Sequence, residues 1–183
     1  MTDYELTRRD ALKALGAAGV TVAGGAAALS WPDDGETKRD GQTLGDHERE
    51  TLHAVARVVY PSEVNGVEEF VDSYVSGRVG SDPDRAAGIA DAIEALDAYA
   101  REWEDGEFVA LDSTLRTETL SAMGIRQADP DPNGDPRQRV RYYLVNELLF
   151  ALYSSPTGGR LVGIENPQGH PGGTESYRRP PDS

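Results

Sequence analysis

Apolar residues recur along the middle of this chain at helical spacing. Leu52, Val55, Ala56 and Val59 fall at i, i+3, i+4 and i+7, which predicts a helix from about Asp46 that Pro61 stops. Val67, Phe70, Val71, Tyr74 and Val75 repeat the pattern, with Gly77 as the expected stop. Asp82-Pro83 reads as an N-cap followed by proline at the first helical position. Ile89, Ile93, Leu96, Ala100 and Trp103 then form one stripe that runs out near Gly106. Phe108 and Leu111 lead into Asp112, a cap for a helix through Leu115, Leu120 and Met123 that Gly124 closes. Asp135-Pro136 opens a last helix, to about Tyr153. No segment alternates with period two for long enough to build a sheet. The expected fold is all-α, a small bundle of about five helices over residues 46–155.

The last helix differs from the others. Val140, Tyr142, Tyr143, Leu144, Val145, Leu148, Leu149, Phe150 and Leu152 cover most of its circumference. Such a helix is buried on all sides, by its own domain or by a partner. Two readings stay open: a central core helix, or one that is half core and half subunit interface. Beyond it the character changes. Pro156, Gly158, Gly159, Gly163, Pro167, Gly169, Pro171, Gly172 and Gly173 argue against regular structure, while Leu161, Val162, Ile164 and Tyr177 are interspersed. Residues 156–183 are expected to form an extended tail lying along a surface.

Upstream of the helical region, residues 31–45 are polar and rich in Gly and Asp, as in a linker. Before them, Thr7-Arg8-Arg9-Asp10-Ala11-Leu12-Lys13 resembles the twin-arginine export consensus, in which Arg8, Arg9, Leu12 and Lys13 are the signal residues. Ala14 to Ser30 carries no charge and is only weakly hydrophobic, and Ala26-Ala27-Ala28 offers a small-residue cleavage site. Residues 1–30 are thus expected to be a leader, with the twin-arginine translocase as a transient partner. The destination would be the extracytoplasmic face of the membrane. That pathway carries folded cargo, often assembled with a cofactor or a partner.

Composition narrows the chemistry. The 183 residues hold 32 Asp and Glu against 18 Lys and Arg, a formal net charge of −14. This argues against nucleic acid, because neutralising phosphates needs a basic face. Only Lys13 and Lys38 are lysines; the remaining basic residues are arginine. High acidity with so little lysine fits a surface adapted to concentrated salt, where a Debye length of roughly 3 Å at 1 M screens self-repulsion. The alternative is an ordinary acidic protein. The chain has no cysteine, which excludes disulfides, Cys-ligated metal and a thiol nucleophile.

Candidate catalytic patterns are thin. Asp129-Pro130-Asp131-Pro132-Asn133-Gly134-Asp135 begins like a calcium-binding loop, but position twelve is Val140 where a bidentate Glu belongs, and the prolines stiffen the loop. Asp129, Asp131, Asn133 and Asp135 are therefore a weak calcium candidate, better read as an acidic linker ending in a cap. Glu50-Thr51-Leu52-His53 has the Glu-x-x-His spacing of di-iron bundles, without the second copy those need. Glu147 sits amid apolar residues and is expected to pair with an arginine, Arg141 or Arg160, since no second catalytic group accompanies it. Nucleophile-elbow, zinc-protease and phosphate-loop patterns are absent from the sequence.

The assembled pattern resembles the gluconate 2-dehydrogenase subunit 3 family, the small subunits of membrane-associated sugar dehydrogenases. The resemblance rests on the twin-arginine leader and on the early helix running into Val58-Val59-Tyr60-Pro61 with Gly66 following. It rests also on Phe108-x-x-Leu111 before the next helix, and on the terminal run Tyr142-Tyr143-Leu144-x-x-Glu147-Leu148-x-x-x-Leu152-Tyr153-Ser154-Ser155-Pro156 with Gly158-Gly159 behind it. Arg160 replaces the commoner Asn, and the stretch through Gly169, His170, Gly172 and Gly173 is only loosely similar. The resemblance implies a non-catalytic partner of a large FAD-dependent subunit of the glucose–methanol–choline (GMC) oxidoreductase type. That subunit would oxidise a sugar or sugar acid, pass electrons to a membrane acceptor, and be carried out folded with the small one. This chain would hold no cofactor of its own. Its implied interface residues are Trp103, Tyr142, Tyr143, Glu147, Tyr153, Gly158, Gly159, Gly169, His170, Gly172, Gly173 and Tyr177. The competing expectation is a stand-alone secreted helical binding protein, holding calcium or a small ligand.

Overall fold

The computed structural model describes residues 4–20 and 44–163. Its helices are α1 (Arg8–Ala17), α2 (Asp46–Val59), α3 (Val67–Ser81), α4 (Pro83–Glu104), α5 (Ser113–Ala122), α6 (Pro136–Val140), α7 (Glu147–Ser154) and α8 (Pro156–Leu161). A π-helical turn, Arg141–Asn146, joins α6 to α7 in one helical run, and a 3-10 turn, Phe108–Ala110, precedes α5. The fold is an all-α bundle. Among the described residues the one pair of strands is a two-residue parallel bridge, β1 (Tyr4–Glu5) to β2 (Val64–Asn65).

Local chemistry explains most boundaries. Asp82 caps α4 by accepting the Arg85 N–H, with Pro83 in the first turn. Asp112 accepts from the Thr114 and Leu115 N–H groups, and Asp135 forms a reciprocal capping box with Gln138. Asp105, in the left-handed region at φ 56°, ends α4. The apolar stripes meet as one core, in which Phe70, Tyr74, Ile89, Leu96, Phe108, Leu144 and Leu148 are buried. Fully burying one such side chain contributes about 1.5–3 kcal/mol relative to exposure. Tyr60, at the end of α2, donates its hydroxyl to the Leu148 carbonyl at 2.8 Å and ties the first long helix to the last.

Two sequence expectations change. Gly77 does not stop α3, which continues to Ser81. Leu15 of α1 fills the space its missing side chain leaves, with Cδ1 2.5 Å from where a Cβ would stand. Residues 156–161 are not an extended tail but the helix α8. The Ser155 hydroxyl accepts the Gly158 N–H at 3.0 Å and donates to the Leu152 carbonyl at 2.7 Å, and Pro156 takes the first position, where a missing N–H costs nothing. Gly158 permits the tight corner, since a Cβ there would fall 1.9 Å from the Leu152 carbonyl oxygen. Residues 4–17, within the expected leader, lie against the bundle. Helix α1 packs on α3 and α7, with Leu6, Ala11, Ala14 and Leu15 buried in the common core. Residues 21–43, with the alanine cleavage site, lie outside the described residues.

Candidate functional site

A buried group of charges sits where α3, α4 and α7 converge. Tyr74 and Arg78 lie one turn apart on α3, Arg85 follows the Asp82 cap of α4, and Glu147 opens α7 directly after the π turn. Glu147 Oε1 accepts from the Tyr74 hydroxyl at 2.8 Å and from Arg78 Nε at 2.9 Å, and Oε2 accepts from Arg85 Nη1 at 2.7 Å. Arg85 also pairs with Asp82 at 3.4 Å and lies over the Tyr142 ring, 6.0 Å from its centroid. Burial, reinforced by the Glu147 charge, raises the Tyr74 pKa well above the ordinary phenol value. Both carboxylate oxygens are thus engaged, and Glu147 acts as a clasp between three helices. The partners are Arg78 and Arg85 rather than Arg141 or Arg160, because the helices that approach the start of α7 are α3 and α4. Glu147, expected at a partner interface, is buried inside the bundle.

Two histidine–carboxylate pairs flank α2. His47 Nε2 meets Asp97 Oδ2 at 2.7 Å, while Asp97 Oδ1 accepts the Phe108 N–H at 2.9 Å. Asp97 is only 1% exposed. The hydrogen bond to Asp97 raises the His47 pKa from 6.5 against the opposing effect of burial, helped by the charges of Asp97, Glu107 and Glu48. His53 Nε2 meets Asp72 at 2.8 Å at the side of a shallow polar groove of about 170 Å³, lined by Glu50, Arg57, Glu68, Val109 and Arg116 among others. Small-molecule and cofactor pockets run to about 300–1,000 Å³ and are mostly apolar. The carboxylates of Glu50 and Glu68 are matched there by the guanidinium groups of Arg57 and Arg116.

In the acidic linker, Asp131 accepts the Asn133 N–H at 2.8 Å, and the Asp135 carboxylate is taken up by the cap of α6 and by Arg137. Val140, at the twelfth position, is buried. Among the described residues no group of three or more His, Asp or Glu is placed to hold a metal ion.

The remaining expected interface residues separate into two sets. Trp103 is 65% exposed at the end of α4, with the Tyr99 ring 6.1 Å away, and Tyr153 is exposed on α7. Phe150, one turn before Tyr153, is equally exposed, although the sequence pattern marks it only as one more apolar position on the last helix. The terminal helix therefore has a core side, with Leu144, Leu148 and Leu152 buried, and an open side. By contrast Tyr142 and Tyr143 face α4. Their rings meet edge to face at 4.9 Å, and the Tyr143 ring lies over Gly88. Gly158 and Gly159 are buried in α8. Gly169, His170, Gly172, Gly173 and Tyr177 lie outside the described residues.

Of the residues expected to form an export signal, Arg8 pairs with Glu69 of α3, Arg9 is exposed, Leu12 packs on the core edge and Lys13 is half-buried. No described helix is long and apolar enough to cross a membrane.

Comparison with known proteins gives one finding of substance. Neither the curated proteins nor the solved structures contain a match. The sequence model described as Gluconate 2-dehydrogenase subunit 3 matches residues 46–172, which takes in the helical bundle from α2 to α8 and leaves α1 outside it. The chain belongs to the gluconate 2-dehydrogenase subunit 3 family.

Proposed function

We propose that this protein is the non-catalytic small subunit of an exported, membrane-associated, FAD-dependent dehydrogenase of the GMC type that oxidises a sugar or sugar acid. Its work is to support folding and stability of the large flavoprotein subunit and to carry it out through the twin-arginine translocase. Electrons pass from the flavin of the large subunit to a membrane acceptor. The family match over residues 46–172 carries this reading. The surface supports it: Trp103, Phe150 and Tyr153 are large aromatic side chains left open to solvent, the residue types enriched in the buried centres of interfaces. The Arg8-Arg9 pair and the acidic, lysine-poor composition support export into a salt-rich exterior.

The test is purification of the tagged full chain at high salt from the extracytoplasmic membrane fraction of its own host. A larger chain at one-to-one stoichiometry with a flavin absorption spectrum is the expected result. Loss of both chains from the exterior in Arg8→Lys/Arg9→Lys would add the export role. A colourless monomer without a second chain would overturn the subunit reading.

A further inference from the structure

The β2–α3–α8 face of the bundle is a built docking site, and it is occupied by the chain's own N-terminal segment. Tyr4 and Glu5 run parallel to Val64 and Asn65, and the Leu6 N–H donates to the Asn65 carbonyl at 2.9 Å. The Thr157 hydroxyl of α8 donates to the Glu5 carbonyl at 3.2 Å. Thr7 and Asp10 then close a capping box that starts α1. Arg8 pairs with Glu69, and Leu6 and Leu15 are each 2% exposed. Two features of the receiving face answer to this segment. Gly66 leaves room for the Leu6 carbonyl, 2.3 Å from where a Cβ would stand, and Gly77 leaves room for Leu15. Glycine inside a helix is destabilising in itself, and at Gly77 the space left by the missing side chain is filled by Leu15 of the docked segment.

From this geometry, and resting on the twin-arginine reading above, we propose that residues 4–17 are a latch that holds the export signal docked and helical in the folded subunit, with Ala11 and Leu12 against the core. Docked, the signal is a capped helix. Arg8 meets Glu69 at the surface and Arg9 is exposed, whereas Asp10 is held in the cap of Thr7, Ala11 is buried and Leu12 packs on the core edge. A receptor that reads Arg8, Arg9, Leu12 and Lys13 together has to take the segment off the β2–α3–α8 face. Folding of the subunit and display of its signal are therefore in competition. Whatever displaces the segment, by binding that face or its neighbours, releases the signal.

Because the chain has no cysteine of its own, the latch can be locked cleanly. Leu15→Cys/Gly77→Cys places two thiols across the α1–α3 contact, since a Cβ at Gly77 stands 3.4 Å from Leu15 Cγ. In energised everted membrane vesicles the oxidised full-length variant should be transported at least about tenfold more slowly than the same protein reduced. Gly77→Leu, which evicts α1 without touching the signal residues, should lose amide exchange protection over residues 8–17 while the rest of the bundle keeps it, and should be transported faster than wild type. Equal transport of the oxidised and reduced forms overturns the latch, as does rapid exchange over residues 8–17 in the wild-type chain. The twin-arginine reading fails separately, through unchanged transport of Arg8→Lys/Arg9→Lys. If Gly77→Leu does not fold, the oxidised and reduced forms of the cysteine pair still decide the matter.

Discussion

Glu147 is the residue whose loss the structure says should be felt most. Its carboxylate receives Arg78 at 2.9 Å, Arg85 at 2.7 Å and the Tyr74 hydroxyl at 2.8 Å, and the two guanidinium-bearing side chains are only 19% and 14% exposed. Glu147→Ala leaves two cations facing each other at the α3–α4 junction with a cavity between them. Breaking a buried pair by removing one partner costs about 3–5 kcal/mol, because a charge is left uncompensated. For a domain of this size each kcal/mol shifts the melting temperature by about 2–4 °C, so the expected loss is on the order of 10 °C. Glu147→Gln keeps the shape and one acceptor oxygen and should fall between wild type and Glu147→Ala. Replacing the whole cluster, Glu147→Leu/Arg78→Met/Arg85→Met, should recover most of the stability, since the charges left behind carry the penalty. Urea unfolding of the three variants, with m-values compared, is the assay. The loss in Glu147→Ala should persist in molar salt, where exposed pairs such as Arg57–Glu68 are screened. A Glu147→Ala midpoint within error of wild type, or a triple variant less stable than the single one, would refute the clasp.

Three further expectations follow from the same contacts. His47 has its pKa raised by Asp97, so its contribution to stability is complete below about 6.5 and is lost as the pH rises through the shifted value. The urea midpoint should fall between pH ~5.5 and ~8.5 in wild type, and should fall less in His47→Gln. Gly158→Ala should destabilise the chain at the upper end of the roughly 1–3 kcal/mol typical of overpacking, because the atom it meets is backbone; thermal unfolding checks it, and an unchanged melting temperature would contradict the tight corner. Phe150→Asp/Tyr153→Asp changes only exposed positions. It should leave the monomer's unfolding midpoint nearly unmoved while abolishing co-purification of the large subunit, and unimpaired co-purification would remove α7 from the interface.

The sequence determined what neighbours in the chain decide. Helix periods predicted the element order, and Asp82, Asp112 and Asp135 marked their own helices, because a cap is made within a few residues of where it is read. The family resemblance was legible for the same reason, carried by short aromatic, Gly and Pro spacings. Other features depend on which helices meet, and the tertiary structure alone decided them. Gly77 looks like a stop until Leu15 is seen against it, and Gly158 looks like a tail residue until Leu152 turns back over it. Glu147 needed a partner by its chemistry, but the choice of Arg78 and Arg85 lies 69 and 62 residues away in sequence. The Arg8-Arg9 segment reads as a leader from its order of residues. Its seat on the bundle depends on glycines and a hydroxyl spread from Gly66 to Thr157, which no local pattern brings together.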